Sequence, residues 1–187
     1  MCGIVGLYLK NPKLENELGK LFAPMMAAMT NRGPDSAGFA IYGDEVAKGV
    51  KLTLQSENSD YPWHELQAEL EEIYGSTVKL EIHSTAAVLK IEANEEAVRS
   101  FISSHHPEVS IMSVGKSIEI LKGMGLPVDV TKRFGLENMK GTHIIGHTRM
   151  ATESAVTTEG SHPFSTGMDL CLAHNGSLSN HNRLREE

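Results

Sequence analysis

Met1-Cys2-Gly3-Ile4-Val5-Gly6 opens the chain, and the apolar run over residues 3–9 predicts a buried β-strand directly after a cysteine. If the initiator methionine is removed, Cys2 carries both a thiol and a free α-amine. The ordinary pKa is about 8.5 for a thiol and about 7.7 to 8 for an α-amine, so near neutrality the amine can accept the thiol proton. One residue then supplies a nucleophile and its base. A Met-Cys start also occurs by chance, so this hypothesis depends on the rest of the chain.

Length and composition favour one globular domain, or one domain with an insertion. The chain has 187 residues, 40% of them apolar, and a net charge of -7, which argues against a nucleic-acid-binding surface. The given residues show neither the pattern of a secretory leader nor an apolar run near the roughly 18 residues that a membrane span needs, so we expect a cytoplasmic protein without a membrane partner. With only two cysteines, Cys2 and Cys171, a disulfide framework is not expected.

The two ends of the chain alternate strands with one long helix. Apolar residues at spacings of three and four predict a helix over residues 14–29, which Pro24 should kink or interrupt. A turn-rich loop over residues 30–38 leads into a strand. Later strands are predicted at 142–146 and 169–173, each followed by a polar cluster, and a helix at 178–185. Polar groups at strand ends are a common way to build a site at the rim of a sheet.

The middle of the chain has its own pattern. Strands are predicted at 50–55, 77–83, 86–92 and 109–114, with helices at 62–74 and 95–104. The order βαββαβ is the ferredoxin-like plan, with a less regular α+β insertion as the alternative. Two helical connectors are predicted after it, at 116–125 and 130–139.

Five motifs carry polar or reactive residues in a fixed order along the chain. They are Cys-Gly-Ile-Val-Gly at 2–6, Arg-Gly-Pro-Asp-Ser-Ala-Gly at 32–38, His-Thr-Arg-Met-Ala-Thr at 147–152, Ser-His-Pro-Phe at 161–164 and His-Asn-Gly at 174–176. This set resembles the class II glutamine amidotransferases. These are N-terminal-nucleophile (Ntn) hydrolases whose glutaminase domain releases ammonia to a synthase, as in glutamate synthase, amidophosphoribosyltransferase, glucosamine-6-phosphate synthase and asparagine synthetase. The glutamate-synthase-like stand-alone subunits look most similar.

The resemblance implies an α+β fold, the Ntn-hydrolase-like four-layer αββα sandwich. Residues 1–49 and 115–187 then form the N-terminal portion of a glutamine amidotransferase type 2 domain, and residues 50–114 form an inserted ferredoxin-like βαββαβ subdomain. The acidic motif with which the family grips the substrate ammonium has no match before Glu187. We therefore expect a C-terminally incomplete domain, with completion by a partner or impaired glutamine binding as the alternatives.

Arg149 is the candidate for binding the glutamine α-carboxylate, because a guanidinium fork matches a carboxylate with two parallel hydrogen bonds. Thr152 matches the family's threonine in the same motif and is expected to support that contact. An arginine in a surface salt bridge is the alternative. Arg32 is expected to order the site rather than react, with a simple polar turn as the alternative. His162 is expected to be a structural hydrogen-bonding residue, with a general base as the alternative. Arg32 and His162 are grouped with Arg149 and Thr152 as the predicted substrate-binding residues.

Asn175-Gly176 has the sequence of a tight turn, and in the family the same pair forms the oxyanion hole. The Asn side-chain amide and the Gly backbone N–H are the two donors there, and glycine allows close approach of the backbone. Cys2, Asn175 and Gly176 are therefore the predicted catalytic residues. His143 and His147 share one side of a strand but lack a third ligand, so no metal is expected, and no cofactor. Cys171 is predicted to be a small buried apolar residue.

The function that follows is a glutaminase half-reaction through a Cys2 thioester, with ammonia delivered to a synthase partner that we expect to be glutamate-synthase-like. The partners expected are L-glutamine and an ammonia-accepting synthase subunit or domain, which makes a hetero-oligomer. Two alternatives stay open. One is a catalytically silent Ntn-fold module with a regulatory or binding role, and the other is an Ntn amide hydrolase with another substrate.

Overall fold

A computed structural model describes residues 2–151 and 155–176. The strands are β1 (Gly3–Tyr8), β2 (Ser36–Tyr42), β3 (Val50–Ser56), β4 (Lys79–His83), β5 (Ala86–Ile91), β6 (Val109–Gly115), β7 (Ile118–Met124), β8 (His143–Arg149), β9 (Phe164–Gly167) and β10 (Leu170–Leu172). The helices are α1 (Leu18–Ala28), α2 (Trp63–Tyr74), α3 (Glu95–His105) and α4 (Pro127–Arg133). Among the described residues, no helix combines the length and apolar character that crossing a membrane requires.

The first sheet has the strand order β1-β8-β2-β7, and all three pairings are antiparallel. Helices α1 and α4 cover one face of it, where Phe22, Phe39 and Phe134 are fully or almost fully buried. Gly146 in the central strand β8 allows α1 to come close, because a Cβ there would lie 2.3 Å from the sulfur of Met26. Mixed α and β structure with antiparallel sheets agrees with the coarse fold prediction and is compatible with an Ntn-like fold.

The second sheet has the order β4-β5-β3-β6, again antiparallel throughout. Its hydrophobic core is formed with α2 and α3, and every buried member of that core lies between Val50 and Val114. The side chains of β3 point alternately to the two faces of this sheet, and both faces are covered. Leu52 and Leu54 belong to this core, whereas Gln55 on the opposite face donates a hydrogen bond to a β7 carbonyl.

Polar side chains join the two sheets. The ammonium group of Lys51, in β3, is completely buried and donates to the carbonyl oxygen of Asp44 at 2.9 Å and to that of Ser117 at 3.2 Å. It also forms an ion pair with Glu119 of β7 at 2.9 Å. A buried ammonium is tolerated only when its donors are satisfied, so this lysine fixes how β3 and β7 face each other.

Asp169, between β9 and β10, holds the turn from β6 to β7. Its carboxylate accepts hydrogen bonds from the backbone N–H groups of Lys116, Ser117 and Ile118 at 2.8 to 3.0 Å. Burial raises the pKa of Asp169, but the hydrogen bonds from Ser117, Lys116 and Ile118 outweigh it, so the pKa lies below its ordinary value. The residue has a φ of 54°, a left-handed conformation that Asp and Asn tolerate better than most residues.

Several predicted elements differ from the structure. Residues 116–125 were expected to be helical, but they contain strand β7, whose alternating Ile118 and Ile120 pack between the sheets. The predicted helix 130–139 is α4 followed by a left-handed residue, Gly135, and a short 3-10 turn. Pro24 lies inside α1 without ending it. The predicted helix 178–185 lies outside the described residues.

The buried ion pair gives the first prediction. Lys51→Met leaves the Glu119 carboxylate without its partner, and removing one member of a buried pair typically costs about 3 to 5 kcal/mol of unfolding free energy. Lys90→Met, which breaks the half-exposed pair of Lys90 with Glu81, is the control and should cost under about 1 kcal/mol. Urea denaturation measures both. Equal losses would contradict the proposed importance of Lys51.

The Asp169 clamp gives the second prediction. Asp169→Asn keeps the left-handed backbone and the shape but removes the charge, so we expect a loss of about 1 to 3 kcal/mol in unfolding free energy at pH 7. A lowered carboxyl pKa stabilises the fold above its unfolded value, 3.8, and this contribution disappears as pH falls through the folded pKa. The difference between wild type and variant should therefore shrink in acid. A pH-independent difference, or an equal effect of the exposed control Asp60→Asn, would contradict it.

Candidate active site

Cys2 lies beside the C-terminal end of β8 because β1 and β8 pair along their full length. Gly3 is paired with Thr148, so the preceding cysteine reaches the level of Arg149. Its sulfur is half-buried and lies 3.9 Å from the carbonyl oxygen of Met150, a weak S–H contact. Strand β8 runs through Arg149 rather than ending at residue 146 as predicted, because β1 and β2 both continue to pair with it.

The loop before β2 packs against the same end of β8. A Cβ on Gly33 would lie 2.5 Å from the backbone nitrogen of Arg149, so only glycine allows this approach. Asp35 ties the loop down, since its carboxylate accepts a hydrogen bond from the Ala151 N–H at 2.7 Å and its own N–H donates to the Arg149 carbonyl at 3.1 Å. Arg32, predicted to order the site, is exposed, and the ordering contacts of this loop come from Asp35.

The segment 174–176 reaches the cysteine from the other side. The Asn175 amide donates from Nδ2 to the carbonyl oxygen of Cys2 at 3.0 Å. One residue earlier, the carbonyl of His174 accepts a hydrogen bond from Nε2 of His147 at 3.1 Å. Gly176 lies against the His174 ring. Two residues predicted to be catalytic, 173 positions apart in the chain, are thus in direct contact.

Arg149 points toward the loop that follows it. Its Nη1 donates to the carbonyl oxygen of Ala155 at 3.2 Å. Thr152, its predicted helper, lies outside the described residues. Arg149 is the last residue of β8 and is partly buried. Its side chain lies on the side of the site formed by residues 155–160.

His162 packs through its ring against two neighbouring aromatic side chains. The ring lies 4.5 Å from that of His147 and 4.3 Å from that of Phe164, and its Nδ1 has no hydrogen-bond partner within the described ranges. Burial, followed by the charges of His147 and Lys122, lowers the pKa of His162 to about 4. The imidazole is therefore neutral at physiological pH.

Lys122 was missed by the sequence analysis. Its ammonium group is buried, donates to the carbonyl oxygens of Ser161 at 2.8 Å and Glu159 at 3.2 Å, and lies 4.7 Å from the centre of the Phe164 ring. It therefore fixes the turn that leads into His162. Burial lowers the pKa of Lys122 to about 8. The strand alternation Ile118, Ile120, Lys122 was the available signal, and the predicted helix concealed it.

Two further residues from the sequence analysis, Cys171 and His143, lie away from Cys2. Cys171 is half-buried, packs with the small core between the sheets and lies 3.6 Å from the Tyr42 hydroxyl, so it is less buried than predicted. His143 stacks on Tyr42 at 4.0 Å. Over residues 2–151 and 155–176, no group of three or more His, Cys, Asp or Glu side chains is arranged to hold a metal.

Sequence comparisons bear on this arrangement. No family model matches the chain. The glutamine amidotransferase-like protein GlxB of Rhizobium meliloti is 53% identical over 188 residues, covering 100% of this chain and 62% of the relative. A candidate glutamine amidotransferase of Methanothermobacter thermautotrophicus is 32% identical over 100% of this chain and 64% of its own length. The resemblance to class II glutamine amidotransferases is confirmed.

A third relative is similar to only part of this chain. The glutamine–fructose-6-phosphate aminotransferase of Methanococcus maripaludis is 35% identical over 77 residues, which is 41% of this chain and 13% of the relative. The chain thus spans under two thirds of the length of the two relatives that it matches throughout.

The third prediction concerns Lys122. We expect its ammonium group to titrate with a pKa of about 8, below the ordinary lysine value of 10.5, because the group is buried. Lys122 keeps its proton to higher pH in the unfolded chain than in the folded one. The wild type should therefore gain stability relative to Lys122→Met as pH rises from the folded pKa, about 8, toward the ordinary value of 10.5. NMR of the lysine side chains measures the titration. Titration of Lys122 at the ordinary lysine pKa of 10.5 would contradict this environment.

Proposed function

We propose that the chain performs the glutaminase half-reaction of a class II glutamine amidotransferase, hydrolysing L-glutamine to glutamate and releasing ammonia for a synthase partner. The observation that carries the proposal is the contact between Asn175 and Cys2 at 3.0 Å, which joins the two ends of the chain at one site. The family resemblance supplies the substrate class. Removal of Met1 is part of the proposal, because it creates the amine that acts as base.

In the proposed first step, the Cys2 amine takes the thiol proton and the sulfur attacks the side-chain amide carbon of glutamine. The carbonyl oxygen becomes an oxyanion. The Asn175 amide has two N–H donors, of which one bonds the Cys2 carbonyl, so the second can serve the oxyanion together with the Gly176 N–H. When the tetrahedral intermediate collapses, its C–N bond breaks and the protonated Cys2 amine returns the proton to the departing nitrogen. Ammonia is released, and a γ-glutamyl thioester of Cys2 remains.

In the second step, the same amine takes a proton from water, which attacks the thioester and releases glutamate and the Cys2 thiol. Arg149 is the proposed ligand of the glutamine α-carboxylate, with Thr152 in support. A guanidinium has five donors in a planar fork, so its bond to the Ala155 carbonyl is compatible with this role. Arg32 and His162 are proposed to shape the substrate pocket, His162 as a neutral ring.

The proposed domain division follows the packing. Residues 50–114 are proposed to form a ferredoxin-like insertion, since their core is self-contained and their strand order is β4-β5-β3-β6. Residues 1–49 and 115–187 are proposed to form the N-terminal part of the amidotransferase domain within a four-layer αββα sandwich. The ammonia acceptor is proposed to be a glutamate-synthase-like subunit in the cytoplasm, in a hetero-oligomer.

The fourth prediction tests this reaction. Protein lacking Met1 should release glutamate from glutamine, and Cys2→Ala should abolish the release. Asn175→Ala should lower kcat about a hundredfold to a thousandfold, the usual effect of losing one oxyanion donor. Asn138→Ala, at an exposed position away from the cysteine, is the matched control and should leave kcat unchanged. Glutamate is measured by a coupled assay.

A wild-type rate that Cys2→Ala does not reduce would overturn the proposed nucleophile. An Asn175→Ala rate equal to that of the Asn138 control would overturn the oxyanion role alone.

A further inference from the structure

His147 lies in the central strand β8 and contacts the segment that carries Asn175. Only 1% of His147 is exposed. Its backbone is paired on both sides, with Ile4 of β1 and Gly38 of β2, so the first sheet fixes the position from which its side chain extends. Polar groups mounted on paired strands are held more precisely than those on loops. The reaction proposed above gives this side chain no role.

The ring of His147 donates a hydrogen bond to the backbone of that segment. Its Nε2 lies 3.1 Å from the carbonyl oxygen of His174, and a carbonyl oxygen only accepts, so Nε2 carries the hydrogen. Burial lowers the pKa of His147, which favours the neutral ring with a bare Nδ1. That Nδ1 is buried without a hydrogen-bond partner among the described residues. The ring is therefore a donor to His174 and makes no described hydrogen bond to the Cys2 thiol.

Two hydrogen bonds attach residues 174–176 to other segments in the part of the chain that the structure describes. One is the bond from His147, and the other runs from Nδ2 of Asn175 to the Cys2 carbonyl oxygen at 3.0 Å. The three residues follow β10 and are exposed, so strand pairing and burial contribute little to their placement. Without the His147 donor, the segment would be anchored through the Asn175 side chain alone.

The carbonyl of His174 and the N–H of Asn175 belong to one planar peptide group. A bond that holds the carbonyl therefore restricts the directions in which the Asn175 side chain can leave the backbone. We infer that His147 is a positioning residue of the oxyanion hole, which holds this peptide so that the Asn175 amide and the Gly176 N–H lie beside Cys2. The inference rests on the proposed glutaminase reaction, in which these two groups are the oxyanion donors.

The fifth prediction is a loss of turnover without a loss of glutamine binding. The oxyanion exists only during the reaction, so its donors stabilise the transition state rather than the bound substrate. His147→Phe keeps a planar ring but has no N–H donor. Because a displacement of about 1 Å at a reacting group can cost about a hundredfold in rate, kcat should fall about tenfold to a hundredfold. KM should change by less than about threefold.

Rescue by a side chain with the right reach tests the donor itself. His147→Gln places an amide N–H close to the position of Nε2 and should restore most of the lost kcat, whereas the shorter His147→Asn should not. His143→Phe is the matched control, because His143 lies on the same face of β8 and stacks on Tyr42 away from Cys2. It should leave kcat unchanged. Thermal denaturation confirms that each variant is folded.

Alkylation of Cys2 by iodoacetamide separates a positioning residue from a general base. This reaction displaces iodide from a saturated carbon and forms no oxyanion. His147→Phe should therefore alkylate at the wild-type rate, measured by mass spectrometry of the Cys2 peptide. A ring that removed the thiol proton would instead be needed for both reactions, and its loss would slow alkylation.

NMR tests the positioning without requiring activity. In the wild type, the imidazole nitrogen signals should identify His147 as the Nε2–H tautomer. The side-chain amide signals of Asn175 should shift in His147→Phe, return toward the wild-type position in His147→Gln and stay in place in His143→Phe. If the wild type releases no glutamate, the proposed function fails, and these spectra still decide whether His147 positions Asn175.

Four results would overturn the inference. They are a kcat of His147→Phe equal to that of His143→Phe, equal losses in His147→Gln and His147→Asn, slowed alkylation of Cys2 in His147→Phe, and an Nδ1–H tautomer in the wild type. Slowed alkylation would assign His147 to proton transfer. Equal losses in the two amide variants would assign it to packing of the ring.

Discussion

The register of β8 between β1 and β2 is the constraint on which the candidate site depends. Pairing of Gly3 with Thr148 and of Ser36 with Arg149 brings three distant segments to one end of the sheet. Because side chains alternate along a strand, a slip of one residue would turn His147 and Arg149 to the opposite face. Glycine is required at position 33, where a Cβ would collide with the backbone of Thr148 and Arg149.

A second constraint is the polar seam between the sheets. Lys51, Gln55 and Lys122 lie along it, and each uses its side chain or backbone to bridge the 50–114 segment and the first sheet. Such a seam depends on direction, because each buried donor requires a particular acceptor. The seam therefore links the middle segment, whose core is separate, to the turn beside His162.

The sequence was sufficient for the elements whose periodicity is local. The strands β1 and β2, the helix α1 and the six elements between residues 50 and 115 can be identified from apolar spacing and turn residues. Strand β7 could not, because Ile118, Leu121 and Lys122 also satisfy a helical spacing, and only pairing with β2 decides between the two. That error hid Lys122, whose burial depends on a strand.

The sequence identified site residues whose role follows from their residue type. It did not identify those whose role depends on contacts that only the fold creates. Cys2 and Asn175 were expected together and are in contact. Asp35 and Asp169 were not selected, because their importance comes from backbone N–H groups that the fold brings to them. Arg32 was selected for its charge, whereas Asp35 in the same loop makes the hydrogen bonds to Ala151 and Arg149.

The most direct test of the central claim is intact-mass spectrometry of the purified protein before and after exposure to a diazo-ketone analogue of glutamine. This single measurement detects both the processing of Met1 and the reactivity of Cys2. We expect a mass without Met1 and one covalent adduct that is absent in Cys2→Ala. Retention of Met1, or its loss with no adduct, would contradict the claim that these residues form a glutamine-recognising nucleophile site.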